Sequence, residues 1–278
     1  MSVLKVLPEE IEAYRDRMWQ REPERRVETA IEAEKLIERA GFCAAMTDAR
    51  RPGASLYVSV CGRRDAHMPR NVQKDPESSQ TWLLKDEIMR RGRVYYAKLA
   101  KARALFVAPR LVPHFNALWG VGRREESARL SAEAQAVLKV LRREWEMASC
   151  DLRSAAKMGE RVRLTRALDE LQRTLKVIPC DVMYEPWFTY IWTLSEARFG
   201  AELKVRVRRE VALREVARAF LDGAGMTLRG ELAKVTGLSR PDAGLGNRAL
   251  VAEGYAVRID EGVYQLADLE QRLETIDT

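Results

Sequence analysis

The sequence predicts a mainly α protein with small β-hairpins, an α+β fold made of repeated groups of three helices and a hairpin. Three observations carry this reading. Apolar residues recur at helical spacing in stretches opened by serine or threonine and closed by glycine. Two short β-rich runs, 176–183 and 187–194, follow the clearest group of helices and are joined by Tyr184-Glu185-Pro186. The same order of elements then returns after residue 200.

In chain order, residues 8–40 read as helix through Val27, Ile31, Ile37 and Ala40, with Gly41 as the stop. ASLYVSV at 54–60 alternates and is β-branched, which predicts a strand. Residues 63–80 mix prolines with basic side chains and read as a surface loop. Helix is expected to resume near Thr81 and to run in pieces through Trp119, before a charged connector at 121–129.

The punctuation then becomes regular. Residues 130–146 form a helix with Ser131 as N-cap, and Ser149 caps a short second helix ending at Gly159. The third helix, 160–175, places Leu164, Leu168, Leu171 and Leu175 on one side. With the hairpin that follows, this is a winged-helix module. The second copy has a long helix at 203–222, a short one capped by Thr227 and ending at Gly237, and a third starting at Ser239. GYAVRI and VYQL supply its wing. The expected domains are therefore 1–129, 130–199 and 200–278, the first holding a divergent winged helix of its own.

Composition excludes several classes. The chain is 46% apolar and 32% charged, with a mean hydropathy of −0.34. No apolar run approaches the ~18 residues that span a bilayer, so no membrane partner is expected. The start, MSVLKVLPEE, lacks the apolar core of a secretory signal. The expected location is cytoplasmic, on the nucleoid if the source is bacterial, and a monomer is expected. Cys43, Cys61, Cys150 and Cys180 are scattered, with only His67 and His114 to join them, so the cysteines read as buried and no metal is expected. The sequence has no P-loop, H-E-x-x-H or G-x-S-x-G, and no cofactor is expected.

The net charge is +7, and its distribution is uneven. Residues 41–129 hold 17 Lys and Arg against 8 Asp and Glu, while the rest of the chain is nearly balanced. A concentrated excess of this kind is expected if one face meets a polyanion, the alternative being a generally arginine-rich composition. Its densest part is 87–110, with Arg90, Arg91, Arg93, Lys98, Lys101, Arg103 and Arg110. Read as helix, it brings Arg91, Lys98 and Lys101 within about 80° of one another. Tyr95, Tyr96 and Phe106 interleave these cations, and either stack on an unpaired base or belong to the core. Opposite the leucines of the middle module lie Arg163, Arg166 and Arg173, which either read base edges or form a salt-bridged face. The last module offers Arg240, Asn247 and Arg248, or, being slightly negative in net charge, serves protein contact or packing instead. Trp82, Trp119, Trp145 and Trp187 read as core anchors, and Glu125-Glu126 as solvated linker charges.

AGFC (40–43), TWLLKDEI (81–88), RVYYAKLAKARALFVAPRLVPHF (93–115) and LRREWEMASCDLR (141–153) resemble the winged-helix family of the bacterial crosslink-repair DNA glycosylases, the AlkZ/YcaQ type. The closer resemblance is to its AlkZ-related members, through W-x-x-K-D (Trp82, Lys85, Asp86) and Y-Y-x-K-L (Tyr95, Tyr96, Lys98, Leu99). It implies tandem winged helices that embrace double-stranded DNA, in a DNA-repair or regulatory role. Glycosylases of this family carry a Q-x-Q or Q-x-D motif near the N-terminal helix-turn-helix. Here Gln73-Lys74-Asp75 has that form, but with lysine in the usually apolar middle position and in a predicted loop. Gln73 and Asp75 are thus the catalytic candidates if the chain excises alkylated or crosslinked bases. A third reading makes the modules a protein-interaction scaffold.

Overall fold

The computed structural model describes residues 6–100 and 103–276. After α1 (Glu9–Met18), one order of elements occurs three times. The first unit comprises α2 (Ala30–Ala40), β1 (Phe42–Ala44), α3 (Leu56–Cys61), α4 (Pro76–Arg91), β2 (Tyr95–Lys98) and β3 (Ala104–Val107). Then α5 (Val112–Trp119) and α6 (Glu126–Arg129) lead to the middle unit. That unit is α7 (Ala132–Glu144), β4 (Glu146–Ala148), α8 (Ser149–Ala155), α9 (Arg161–Arg173), β5 (Val177–Met183) and β6 (Thr189–Leu194). α10 (Ser195–Lys204) connects it to the third unit. The third is α11 (Arg209–Ala224), β7 (Met226–Thr227), α12 (Glu231–Thr236), α13 (Arg240–Ala252), β8 (Ala256–Asp260) and β9 (Val263–Leu266), closed by α14 (Leu269–Ile276).

Each unit has a three-stranded antiparallel sheet ordered β1-β3-β2, β4-β6-β5 and β7-β9-β8. The returning strand of each hairpin is central because it pairs both its hairpin partner and the short strand after the first helix. Phe106 thus faces Cys43 on one side and Tyr96 on the other. Trp192 likewise faces Met147 and Pro179. The fold is α+β, with three winged helices in tandem.

A continuous apolar core runs through the first and third units, while α7, α8, α9 and their sheet enclose a second. Arg15 ties α1 to the third unit. It is buried, donates to both Glu231 carboxylate oxygens at 2.9 and 3.0 Å, and reaches the carbonyls of Ala224 and Met226. α13 carries Gly246 on the side that meets α11, where a Cβ would stand 2.4 Å from the Leu213 carbonyl oxygen. The role of this glycine is close packing of α13 on α11.

Several local expectations are corrected. Residues 54–60 are mostly helix, because every residue of α3 is buried and alternation then marks no two-sided sheet. The 8–40 helix is two helices, broken over 19–29 by a turn at Pro23–Arg25 and restarted by a capping box between Thr29 and Glu32. α4 starts at Pro76 rather than Thr81, since the Asp75 carboxylate accepts from Ser78 N at 2.7 Å. It ends at Gly92, whose φ of 62° is left-handed, and strand β2 follows from Tyr95. The 87–110 row is therefore not one helical face. Lys98 lies on a strand, and Lys101 lies outside the described residues.

Other corrections concern caps and burial. Ser149 does not cap α8: its hydroxyl donates to the Tyr190 carbonyl and accepts from Trp192 Nε1. Thr227 belongs to β7, and Gly230 opens α12. The 203–222 helix starts only at Arg209. Glu126 is no solvated linker charge. It is buried and accepts from Arg142 at 2.8 Å and Lys176 at 2.7 Å. Cys150 is exposed. Trp145 and Trp187 are 68% and 79% exposed, so neither anchors a core.

Candidate nucleic-acid interface

The middle wing is an aromatic ladder set by strand periodicity. Phe188, Tyr190 and Trp192 alternate along β6 and its approach, so they share one face. Their rings meet edge to face, with centroids 5.2 Å apart for Phe188–Tyr190 and 5.8 Å for Tyr190–Trp192. Tyr184 extends the ladder at 5.6 Å from Phe188. The ladder grades from the exposed tip at Trp187 and Phe188 to buried Trp192 at its base.

The W-x-x-K-D run holds this wing in place. Lys85 is 1% exposed, although lysine is seldom buried without partners. Its ammonium donates to Asp86 and, at 2.9 Å, to the Tyr190 hydroxyl, and it lies 4.3 Å from the Trp82 ring centroid. Burial pushes the Lys85 ammonium below the ordinary lysine value, against the opposing pull of Asp86. The Tyr184 hydroxyl donates to the other Asp86 oxygen. Burial, with Asp86 nearby, pushes both Tyr184 and Tyr190 up to about 12, so both stay protonated at neutral pH. Arg90 completes the attachment, donating to Asp181 at 2.5 Å and to the Val182 carbonyl at 3.2 Å.

Between this wing, α9, α8 and β2 lies a groove of about 610 Å³, within the usual range for ligand sites. Arg161, Leu164, Thr165, Leu168, Asp169 and Gln172 line it from α9, at the spacing of one helical face. Tyr96 and Lys98 form the wall from the first unit, and Trp187, Phe188 and Tyr190 the wall from the wing. Lys98 Nζ donates to Asp169 at 2.9 Å, and its backbone N–H donates to Gln172 Oε1 at 3.0 Å. The C-terminal half of α9 is thereby docked on β2, while its first two turns project.

The sequence-predicted cations fall into distinct settings. Arg91 pairs with Glu34, and exposed Arg93 lies 3.7 Å from the same carboxylate. Arg103 donates to the Lys234 carbonyl, which links it to the third unit, and Arg110 to the Glu38 carbonyl. Arg163 pairs with Glu133 at 2.6 Å, and Arg173 donates to the Asp169 carbonyl. Arg166, Arg240 and Arg248 are exposed, with no carboxylate partner among the described residues. Asn247 is buried. Tyr95 and Phe106 are fully buried, and Tyr96, also buried, lines the groove. Gln73 is an exposed side chain in a 3₁₀ turn, two residues before the Asp75 cap.

AlkZ-related proteins form a family whose profile matches residues 27–221. The chain belongs to this family. No curated protein sequence matches it. Among solved structures, the DNA glycosylase AlkZ of Streptomyces sahachiroi has a similar fold, with a TM-score of 0.57 at 15% identity. The match covers 98% of this chain and 72% of that one. In this AlkZ-related chain, the sequence reading passed over groove-lining Arg153, Arg161 and Phe188 and took Trp187 for a core anchor. The signal was present in F-x-Y-x-W at 188–192, three aromatics at strand period beside a turn. Among the described residues, no group of three or more His, Cys, Asp or Glu could hold a metal ion.

Proposed function

We propose that this protein binds double-stranded DNA in a repair role, through the projecting turns of α9 and the middle wing. The observation that carries the reading is the setting of Arg153, Arg161 and Arg166. Arg153 and Arg161 line the groove, Arg166 lies one turn along α9, and none has a carboxylate partner among the described residues. In a chain where many arginines are neutralised by nearby acids, these three retain their charge for phosphates. Family membership and the fold shared with a DNA glycosylase support the same reading. The test is retention of a plain duplex across a salt series. Affinity should fall steeply with salt, because each phosphate neutralised releases counterions. Retention that ignores salt, or is absent at low salt, overturns the proposal.

Base excision is the second reading, and Asp169 favours it. Its carboxylate faces the groove beside the Lys98 ammonium, where an acid could position water against an extruded nucleotide. Abasic-site formation on alkylated and crosslinked duplexes measures this activity directly. Asp169→Asn should abolish it while leaving duplex retention in place.

A further inference from the structure

We propose that the groove behind the middle wing receives a single unpaired DNA nucleotide, its base stacked on Trp187 and Phe188 and its phosphates held by Arg153 and Arg161. This rests on the DNA-binding reading and names what that site selects. Four features of the groove lead to it.

The groove is walled by α8, α9, the wing and β2, so a base-paired helix cannot enter it, whereas one nucleotide fits its 610 Å³. Trp187 and Phe188 are large aromatics, 79% and 47% exposed at the groove mouth. Apolar rings left in water at a concave site are stacking platforms awaiting a flat partner. The charge also suits a nucleotide. Lys98 and Asp169 cancel each other, which leaves Arg153 and Arg161 against Glu185 alone among the lining residues.

The fourth feature predicts how the base is recognised. Three polar side chains that line the groove are already committed within the protein. Gln172 accepts from Lys98 N and donates to the Leu168 carbonyl. The Ser149 hydroxyl is engaged by Tyr190 and Trp192, and the Thr165 hydroxyl donates to the Arg161 carbonyl. Few groups remain to read a base edge. The site therefore recognises the unpaired state through stacking and charge, with little preference among bases.

The experiment compares two duplexes of equal length by fluorescence anisotropy, one fully paired and one with a single central bulged nucleotide. A third, carrying 2-aminopurine at the bulge, reports stacking by loss of its fluorescence. The bulged duplex should bind about tenfold more tightly, as expected for one base stacked on aromatic side chains. All four bulged bases should behave alike, and 2-aminopurine should be quenched. Trp187→Ala and Phe188→Ala should erase the preference and the quenching, so that the bulged and the fully paired duplex bind each variant with one affinity. Equal affinity of the intact protein for both duplexes overturns the proposal and leaves the DNA-binding reading standing. A failure to bind either duplex overturns both. Because Trp187 is so exposed, its alanine variant keeps the fold and serves as the control for Phe188.

Discussion

Lys98 Nζ and Asp169 Oδ1 lie 2.9 Å apart, and this pair fastens the sheet of the first unit to the third helix of the middle unit. A lysine from the most basic stretch of the chain is thus spent on an acid from a nearly neutral one. On the reading proposed above, the phosphate-contacting role that the charge count suggests for Lys98 falls instead to Arg153 and Arg161, which the count does not single out.

That exchange can be tested through salt dependence. Arg153→Ala combined with Arg161→Ala should flatten the plot of log affinity against log salt by about one to two units. Lys98→Ala should leave that slope unchanged and lower stability by less than about 1 kcal/mol, since the pair is partly solvated. A flatter slope in the lysine variant would return Lys98 to the DNA-contacting set.

The Arg15–Glu231 pair joins α1 to α12 with both side chains buried. Glu231→Ala leaves a buried guanidinium without its carboxylate, which should cost about 3–5 kcal/mol. Urea unfolding followed by circular dichroism measures this as a large fall in midpoint. A shift equivalent to less than about 1 kcal/mol would show the pair to be solvated like a surface ion pair.

Asp75 caps α4, and Gln73 lies exposed beside it. Asp75→Ala should therefore lower stability by about 1 kcal/mol, the usual effect of losing a cap, and Gln73→Ala should be neutral. Neither change should alter base excision. A fall of about a hundredfold in abasic-site formation, the scale of a lost acid or base, would make the triplet catalytic.

Acid stability should depend on Asp48. The Arg50 guanidinium beside it, helped by the Met68 and Arg50 backbone amides, holds its carboxyl down to about 2, below the ordinary 3.8. A group depressed in the folded state contributes stability above its unfolded pKa, and that contribution is lost as pH falls through the folded one. Unfolding free energy should thus decline between about pH 4 and pH 2. Asp48→Asn should flatten that part of the profile, and an identical profile in the variant would contradict the assignment.

By itself, the sequence determined that the chain folds as repeated three-helix-and-hairpin units. That information is local. Ser131 and Ser239 cap their helices as read, the leucines of α9 fall on one helical face, and the hairpins at 177–194 and 256–266 follow from β-rich runs around turns. The family motifs were legible too, although their physical work was not. Lys85 and Asp86 look like surface charges until a second unit buries them beneath Tyr190 and Tyr184.

Only the tertiary structure decided which cations remain available and where the aromatics point. Arg91 meets Glu34 and Arg90 meets Asp181 across 57 and 91 residues of sequence, distances at which no periodicity speaks. Trp187 is exposed because it stands at a wing tip, while Tyr95 is buried because it sits on a strand inside the shared core. Helical and strand periods assign residues to faces of one element. Whether a face meets solvent, an acid or another unit depends on packing between elements far apart in the chain, and that packing makes the groove.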